Sequence, residues 1–419
     1  MKTPDPLSRA FEGPFEKILV EFAVQHGLLP PGESEMSSRF LNRALVPHIE
    51  RLSGLFNREE KDQSSGLEPY WNLGSNPNHL RLAYFLYFMP CNLYRMASVW
   101  AELNRLGYQW PVKKAFKGVE FGAGPAAGAC GVAAGEHFAP LGLPQEGNWA
   151  LIEQDRPMLD LGSGWANRYF EDRGFAHWST RPFHRKLDLP KGFLPPSAPR
   201  FDIWVMSFFL NEFLNADPAE LAKNLIQSWD RHLEKEGLII ILEPALKLQS
   251  RRLLELRAAL LLEFNKKKSS LYQVLLPCLG HQACGALANP EDWCHEEVTW
   301  WRPPYFKTID RLAKLDRKTL PFSYLVISKS ERTRAELLPG LNLNSTRSGL
   351  KRLVSPAHSE GRDFEFYICG EDGKRRARVS EKTLDQVKCS EIGRGDVLLN
   401  VQLRGDPKSS RIESLTQVI

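Results

Sequence analysis

From Phe116 onward, short apolar runs alternate with helical segments, and this alternation limits the fold more than any other feature of the chain. The runs are KGVEFGAG, NWALIEQD, RFDIWVMSFF and GLIIILEP, with PFSYLVISKS later. Apolar runs of this length are typical of strands buried on both faces, and strands separated by helices usually pair in parallel. The sequence therefore predicts a doubly wound α/β domain over residues 114–330, which includes a cysteine-rich loop at 277–295.

Two differently patterned regions flank this domain. Residues 1–113 show helical apolar spacing, as in PFEKILVEFAVQHGLL, and we expect a helical region there, interrupted by the polar linker EEKDQSSGLEP. Residues 331–419 contain RDFEFYICGEDGKRRARVS and GDVLLNVQLRGD, whose Gly and Asp turns are typical of hairpins, so we expect a small β-rich unit. A chain of 419 residues exceeds the usual size of one domain, which agrees with this division.

The apolar segment LRLAYFLYFMPCNLYRMASVWAEL is the candidate for a membrane span. Its uncharged run between Arg81 and Arg95 has 13 residues, too few to cross the hydrocarbon core. The apolar positions recur at helical spacing, which predicts a buried helix kinked at Pro90. The first residues lack the apolar core of a signal peptide and do not resemble an Arg-rich transit peptide, so we expect a cytoplasmic protein. The net charge of +5 decides little about partners.

The segment VEFGAGPAAG, residues 119–128, joins a predicted strand to a helix through a glycine turn. Glycines let the backbone approach a ligand closely, and the N-terminus of the following helix presents free N–H groups. The next strand, NWALIEQD, ends at Glu153, where dinucleotide and nucleoside sites keep the carboxylate that binds ribose hydroxyls. We therefore predict a nucleotide site whose ligand turn contains Glu120, Gly122 and Gly124.

A second acid-x-Gly-x-Gly pattern occurs in MLDLGSGWANRYF, residues 158–170. The segment before it, ALIEQDRP, contains a proline that leaves no room for a separate buried strand. Both loops cannot be the first turn of one sheet, so we assign residues 160–164 to the segment that follows the second strand.

The predicted ligand of the turn is S-adenosylmethionine rather than NAD. Ala127 stands where G-x-G-x-x-G would have its third glycine, and no substrate-domain pattern for hydride transfer follows. After the fourth strand, FDIWVMSFFLNEF, Ser207 is followed by Asn211 and Glu212 at the edge where open α/β sheets bind ligands. Asp188, in KLDLP, is placed to reach the adenine amino group. An equally good interpretation of Asn211 and Glu212 is that they cap the next helix.

Three of the seven cysteines lie in LPCLGHQACGALANPEDWCH, and FEFYICGEDGK adds a fourth. Cys278, Cys284 and Cys294 are separated by five and nine residues, which does not fit the C-x2-4-C knuckles of zinc sites. Iron–sulfur clusters are wider and accept looser spacing. With Cys369 as the distant ligand, the sequence predicts a metal site of four thiolates, in which an iron–sulfur cluster is the sharper hypothesis.

Two alternatives to this ligand set stay open. Zinc could be held by three cysteines and either His281 or His295, and Cys389 competes with Cys369 for the fourth position. An odd number of cysteines argues against a structural disulfide in a cytoplasmic chain. Plain burial suits Cys91 and Cys130.

The motifs together resemble the methyltransferase-like protein 17 family, which comprises mitochondrial Rsm-type small-ribosomal-subunit proteins and their bacterial homologues. The most specific parts are DWCH, residues 292–295, and FSYLV, residues 322–326, while VEFGAGP and FFLNEF fit the family's nucleotide-site strands. The resemblance runs from about Phe116 to Cys369. It departs from the family at Glu120, which replaces the usual loop-opening Asp.

This resemblance implies a class I, Rossmann-like S-adenosylmethionine methyltransferase fold and binding to the small ribosomal subunit and its rRNA during assembly. We expect a bacterial cytoplasmic protein that makes no membrane contact and is monomeric away from the ribosome. The resemblance implies a [4Fe–4S] cluster held by Cys278, Cys284, Cys294 and Cys369. It assigns cofactor contacts to Glu120, Gly122, Gly124 and Glu153, which we extend with Asp188 and Ser207 from the strand ends.

Basic segments near the cysteine loop suggest contact with RNA. WWRPPYFKTIDRLAKLDRK, residues 300–318, interleaves aromatic and basic residues, a pattern that suits stacking on bases beside phosphate contacts. FNKKKSS and GKRRARVS add two basic patches. The alternative for each patch is a solvated amphipathic segment with its aromatics in the core, but three patches together favour RNA.

The sequence predicts no catalytic residue, because no N-P-P-[FY] motif follows the fourth strand and no cysteine is placed as a base-attacking nucleophile. The leading hypothesis is a methyltransferase-fold assembly factor that binds S-adenosylmethionine, an iron–sulfur cluster and rRNA. The main alternative is an active RNA or protein methyltransferase with a structural zinc and no ribosome role. A radical enzyme fits worst, because Cys369 closes the cluster iron that such an enzyme leaves open.

Overall fold

The computed structural model describes residues 7, 14–30, 32, 36–57, 77–187, 192–213, 215–266, 271–343, 349–406 and 408–419. The polar linker predicted at residues 59–69 lies outside these ranges.

Helices form the described part of the N-terminal region. They are α1 (Pro14–Gln25), a helical turn (Ser38–Phe40), α2 (Val46–Phe56), α3 (Pro77–Ala83) and α4 (Met89–Arg105), and π-helical segments at Leu41–Leu45 and Tyr84–Phe88 lead into α2 and α4. Pro90 lies in the first turn of α4, where its missing N–H costs no helical hydrogen bond. Where the sequence predicts a kink at Pro90, the structure has a π-helical segment, Tyr84–Phe88, that leads directly into α4. Within the described ranges, no helix is long and apolar enough to span a membrane.

The central part of the chain folds into one large sheet with helices on both sides. Its strands are β1 (Ala115–Phe121), β2 (Glu146–Glu153), β3 (His177–His184), β4 (Phe201–Ser207), β5 (Leu233–Glu243), β6 (Tyr272–Leu276), β7 (Glu296–Thr299) and β8 (Thr319–Lys329). The helices between them are α5 (Ala127–Phe138), α6 (Arg156–Asp172), α7 (Pro218–His232), α8 (Lys247–Lys266) and α9 (Pro304–Leu312).

The strand order is β3-β2-β1-β4-β5-β8-β6, with β7 beside β8. The strands from β3 to β5 are parallel, as predicted. By contrast β8, the run PFSYLVISK, is antiparallel to both β5 and β6. The order runs outward in both directions from the boundary between β1 and β4, so the sheet has a topological switch point there.

The central strands are apolar throughout because both of their faces are covered. In β4, Ile203 and Val205 pack in the same core as the N-terminal helices, α5 and α6. Trp204 and Met206 point to the opposite face and pack with residues of α7 and α8. The helical N-terminal region is thus part of the layer that covers one face of the sheet, and α4 packs directly against α5.

The C-terminal region adds a second sheet. After α10 (Arg334–Leu337) come β9 (Lys351–Leu353), β10 (His358–Glu360), β11 (Asp363–Gly370), β12 (Gly373–Ser380), α11 (Glu381–Gln386), β13 (Val397–Leu399), β14 (Gln402–Arg404), β15 (Ser410–Ser414) and β16 (Gln417–Val418). The predicted hairpin is present as β11 and β12, where Cys369 faces Lys374. Arg352 of β9 is buried and pairs with Glu102 of α4 and Glu296 of β7, so an ion-pair network joins all three regions.

Candidate cofactor and cysteine sites

A cavity of about 380 Å³, here called the cofactor cavity, opens at the carboxyl edge of the central sheet. Residues that follow β1, β2, β3, β4 and β5 line it, and its other wall comes from the N-terminal helices and the cysteine-rich loop. This is the switch point of the sheet, where open α/β folds bind their ligands. The volume lies within the range of about 300–1,000 Å³ that is usual for small-molecule sites.

The glycine turn after β1 forms the floor of this cavity. Gly122 and Gly124 both line the cavity and both have positive φ, at 60° and 49°. A Cβ atom on Gly122 would lie 2.7 Å from the ring of Phe209. The turn is therefore possible only with glycine, and the assignment of residues 122 and 124 to the first turn agrees with the structure.

The competing pattern DLGSG lies inside helix α6. In this position α6 packs closely against the glycine turn. A Cβ on Gly162 would lie 2.4 Å from the carbonyl oxygen of Gly124 and 2.8 Å from Cα of Pro125. The close packing of α6 on the turn explains this glycine without any ligand.

Glu120 stabilises the turn from within rather than lining the cavity. Its side chain is 1% exposed, and its two carboxylate oxygens accept hydrogen bonds from the N–H groups of Gly128 and Ala129, each at 2.8 Å. Burial raises the pKa of this carboxyl to about 7, against the opposing effect of the two backbone donors. The carboxylate of Glu120, in β1, thus binds the N-terminus of helix α5 and does not make the predicted contact with the cofactor cavity.

Glu153, at the end of β2, lines the cofactor cavity as expected. Its carboxylate accepts hydrogen bonds from the N–H of Gly124 at 3.0 Å and from those of Gln154 and Asp155 at 2.8 and 2.9 Å. Burial raises its pKa, and the three backbone donors oppose that effect. The carboxylate is therefore fixed in place beside the glycine turn.

The two other predicted cofactor residues differ in outcome. Ser207, at the end of β4, lines the cavity, and its buried hydroxyl oxygen has no hydrogen-bond partner. A buried polar atom of this kind usually has a partner, so the hydroxyl is available to a bound molecule. Asp188 lies outside the described residues.

Asn211 and Glu212 line the cavity from a 3₁₀ turn at Leu210–Phe213. They do not cap the following helix, because Asp217 accepts the N–H groups of Ala219 and Glu220 there.

The sequence analysis missed the residue that holds this turn. The buried carboxylate of Glu243 accepts the N–H groups of Leu210 and Asn211 at 2.8 and 3.1 Å. The signal for it was present, since Glu243 ends the apolar run GLIIILE.

The cysteine-rich loop supplies part of the cavity wall. Trp293 and His295 line the cofactor cavity, and both Trp293 Nε1 and His295 Nδ1 are buried without a hydrogen-bond partner. Burial lowers the pKa of His295 to about 4, helped by Arg394. Neither residue was predicted to reach this cavity, because nothing local in DWCH shows which way the loop folds.

The four predicted cysteines come together. Cys278, Cys284, Cys294 and Cys369 all line a second cavity of about 50 Å³, here called the cysteine cavity. Burial, together with the neighbouring thiols of Cys278 and Cys284, raises the pKa of Cys369 to about 12. Burial and the other three thiols act in the same direction on the pKa of Cys294. The hairpin and the loop thus meet around one small space, and His295 lines both cavities.

Three arginines hold the backbone of the cysteine-rich loop. Arg251 donates to the carbonyl oxygens of residues 286, 289 and 292. Arg257, which is 2% exposed, donates to those of residues 280 and 282, and Arg334 donates to those of 275, 278 and 279. The Nε atoms of Arg257 and Arg334 are buried without partners. The loop therefore lies against one buried cation, Arg257, and one half-buried cation, Arg334, which the sequence analysis did not single out.

Of the alternative ligands, His295 lines the cysteine cavity, whereas Cys389 and His281 do not. The thiol of Cys389 donates to the carbonyl oxygen of Glu391 at 3.0 Å and does not line the cysteine cavity. His281 also stays out of that cavity, with Nε2 lying 3.2 Å from the carbonyl oxygen of Val274. Cys91 and Cys130 are buried, as predicted. Within the described ranges, no three Cys, His, Asp or Glu side chains converge closely enough to hold a single metal ion.

The proposed RNA segments differ from expectation. Trp300, Tyr305 and Phe306 are buried in the core, so the prediction that these rings present stacking surfaces was wrong. In GKRRARVS, Lys374 and the arginines pair with carboxylates: Lys374 with Asp292, Arg375 with Asp372, Arg376 with Glu365, and Arg378 with Glu360 and Glu365. FNKKKSS lies partly outside the described residues.

The strand order with an antiparallel β8, the glycine turn after β1 and the carboxylate that ends β2 define a class I S-adenosylmethionine methyltransferase fold. The chain belongs to the family described as mitochondrial small ribosomal subunit Rsm22, whose model matches residues 80–396. A comparison with curated proteins gives no match.

Solved methyltransferase structures are similar to the chain at low identity. Precorrin-6y C5,15-methyltransferase from Geobacter metallireducens is 13% identical, with 56% of this chain and 87% of that one covered and a TM-score of 0.28. The O-methyltransferase from Bacillus cereus with bound SAH is 9% identical, with coverages of 68% and 89% and a TM-score of 0.28. The plantazolicin methyltransferase with bound SAH is 11% identical, with coverages of 78% and 99% and a TM-score of 0.30. At such scores the strand order, not the superposition, identifies the fold.

Proposed function

We propose that this protein is a methyltransferase-like assembly factor of the small ribosomal subunit that binds S-adenosylmethionine, an iron–sulfur cluster and rRNA. The observation that carries the proposal is the family match over residues 80–396, which contains the glycine turn, Glu153 and all four cavity cysteines. The family's description supports the ribosomal subunit as partner. The two cavities support the binding of the cofactor and of the cluster.

S-adenosylmethionine fits the chemistry of the cofactor cavity. The fixed carboxylate of Glu153 is an acceptor for ribose hydroxyls beside the glycine turn. The unpartnered hydroxyl of Ser207 and the unpartnered Nε1 of Trp293 offer polar contacts that such a ligand would satisfy. Bound there, the cofactor would supply an electrophilic methyl group.

A cluster fits the chemistry of the cysteine cavity. The four cysteines that line it are the ligand set that a [4Fe–4S] cluster takes. Four thiolates around a cluster carry net negative charge; buried Arg257 lines the same cavity, and half-buried Arg334 adds a second positive charge near Cys278. The partnerless Nε atoms of both arginines are suitable donors to sulfur. The cluster would tie the loop to the β11–β12 hairpin.

The support for rRNA binding is the positive charge of exposed side chains. Lys307, Arg311 and Lys314 are exposed on and just after α9. Cations of this kind bind phosphates without base stacking, which suits recognition of folded RNA by its backbone.

The first test is anaerobic purification followed by iron, sulfide and zinc analysis of the natural protein, Cys369→Ser and Cys389→Ser. We expect about four irons and four sulfides per chain by the stoichiometry of a cubane cluster. The content should fall in Cys369→Ser and persist in Cys389→Ser, the matched control outside the cavity. One zinc with no sulfide would contradict the cluster and leave a methyltransferase with a structural zinc.

The ribosomal part is tested by co-sedimentation with small subunits at rising salt. Binding that weakens steeply with salt supports phosphate contacts. Failure to bind at low salt, together with transfer of labelled methyl groups to free RNA or to protein, would instead favour an enzyme without a ribosome role.

A further inference from the structure

Arg95, Arg185 and Arg317 line the cofactor cavity, and among the described residues neither Arg95 nor Arg317 has a carboxylate within ion-pair distance. Arg95, in α4, is 6% exposed; its Nη1 donates to Asn92 Oδ1 at 2.6 Å, and its Nε has no partner. Arg317 donates through Nε to the hydroxyl of Tyr87 at 3.1 Å, and its guanidinium lies over the rings of Tyr87 and Phe88.

The charge of Arg95 is costly where it lies, whereas the lowering effect of burial on the pKa of Arg317 is outweighed by Cys91, Tyr87 and Asp310, so that pKa is raised. Burial lowers the pKa of Arg95 to about 10, and the charge of Arg317 acts in the same direction. The nearby carboxylate of Asp310 is already used, since it accepts from the Tyr87 hydroxyl at 3.1 Å and from Arg302 at 2.7 Å. Buried charges in proteins are normally paired, so this arrangement calls for an anion in the cavity.

The position of Arg95 indicates which anion. Its guanidinium carbon lies 5.3 Å from the centroid of the Phe208 ring, and Phe208 directly follows β4. The next residue, Phe209, contacts the glycine turn at Gly122. Since neighbouring strands lie about 4.8 Å apart, β2 and β4 are roughly 10 Å apart across β1. A molecule held by its ribose at Glu153, on β2, would thus extend its other end toward Arg95.

We propose that Arg95, with Arg317 beside it, binds the carboxylate of the methionyl group of S-adenosylmethionine. Guanidinium groups match carboxylates with two parallel hydrogen bonds, which makes Arg95 a residue that selects cofactors carrying an amino-acid end. The inference rests on the proposed function, because it requires that the cavity take this cofactor. The phosphate of an acceptor nucleotide has the same oxyanion chemistry, but Arg95 is 6% exposed and contacts Phe208 at the end of β4, so it lies inside the cavity rather than at an outer rim.

The test is calorimetric titration of the full chain with three ligands that share the adenosyl group. S-adenosylhomocysteine has the carboxylate, its decarboxylated form lacks only the carboxylate, and 5′-methylthioadenosine lacks the whole amino-acid end. We would compare the natural protein with Arg95→Gln, Arg95→Lys and Arg168→Gln, the last being an exposed arginine of α6. Thermal unfolding of each variant checks the fold.

Arg95→Gln should weaken S-adenosylhomocysteine by about 10- to 100-fold, the usual worth of a charge-assisted hydrogen-bonded pair. It should leave the two ligands without a carboxylate unchanged, Arg95→Lys should fall between, and Arg168→Gln should match the natural protein. Equal loss for all three ligands would show a structural role and overturn the proposal. So would an unchanged affinity for S-adenosylhomocysteine combined with weaker binding of inorganic phosphate. If the natural protein binds none of the adenosyl ligands, the proposed cofactor fails as well, which distinguishes the two failures.

Discussion

The buried carboxyl of Glu120 makes the stability of this protein depend on pH in a predictable direction. The group has a pKa of about 7 in the folded state because burial disfavours its charge, against an ordinary value of 4.5. Between these two values the folded state binds the proton more tightly than the unfolded state does. The free energy of unfolding therefore falls as the pH rises from 4.5 to about 7.

The size of the effect follows from the same two values. At about 1.4 kcal/mol for each pKa unit, the loss is about 3 kcal/mol. Glu120→Gln replaces the carboxyl by an amide of the same shape that does not titrate, so the variant should lack this loss. Its amide still loses one of the two acceptor positions facing Gly128 and Ala129, a cost that does not vary with pH.

Thermal unfolding at pH 5 and pH 8 measures the difference. The melting temperature of the natural protein should fall by about 6–12 °C more than that of Glu120→Gln, at about 2–4 °C for each kcal/mol in a domain of this size. Glu146→Gln, at the exposed start of β2, is the matched control and should follow the natural protein. If the difference in melting temperature between Glu120→Gln and the natural protein is the same at pH 5 and at pH 8, the reasoning is refuted.

Three further changes test other contacts. Gly162→Ala forces a Cβ to within 2.4 Å of a carbonyl oxygen of the turn, so it should cost about 1–3 kcal/mol and weaken S-adenosylhomocysteine in calorimetry, while Gly164→Ala, with 3.4 Å of clearance, should do neither. Arg257→Gln should lower the metal content per chain but spare ligand binding in the cofactor cavity, with half-buried Arg252→Gln as the control. Asp217→Ala should cost about 1 kcal/mol in thermal unfolding through the lost helix cap and leave cofactor affinity intact; a larger effect on affinity than on stability would contradict a purely capping role.

The parts of the fold that could be predicted from the sequence are those that local pattern determines. The apolar runs identified β1, β2, β4, β5 and β8, and the glycine turn could be chosen over DLGSG because a proline left no strand before the latter. The direction of β8 could not be read, because an apolar run has the same pattern in a parallel and an antiparallel pairing.

The walls of the sites depend on long-range packing and were largely missed. Arg95 stood out in the sequence only as the end of an uncharged run, since its distance of more than a hundred residues from Phe208 hides their contact. The alternation of aromatic and basic residues at 300–318 fits an RNA-binding surface and an amphipathic helix equally well. In the structure the rings of Trp300 and Phe306 are buried in the core. The four cysteines that the sequence grouped as metal ligands line one cavity, although Cys369 lies in a different sheet; their role as ligands stays a prediction.

The separation of Cys369 from the other three cysteines along the chain means that the four are synthesised at different times. Cys278, Cys284 and Cys294 leave the ribosome before Cys369, which follows only after β8, β9 and β10. At about 5–20 residues per second, the interval after Cys294 is roughly 4–15 seconds. During it the three thiols stand without their fourth neighbour and without the hairpin that covers them. The cysteine cavity is therefore complete only after the β11–β12 hairpin has been synthesised and has docked on the loop.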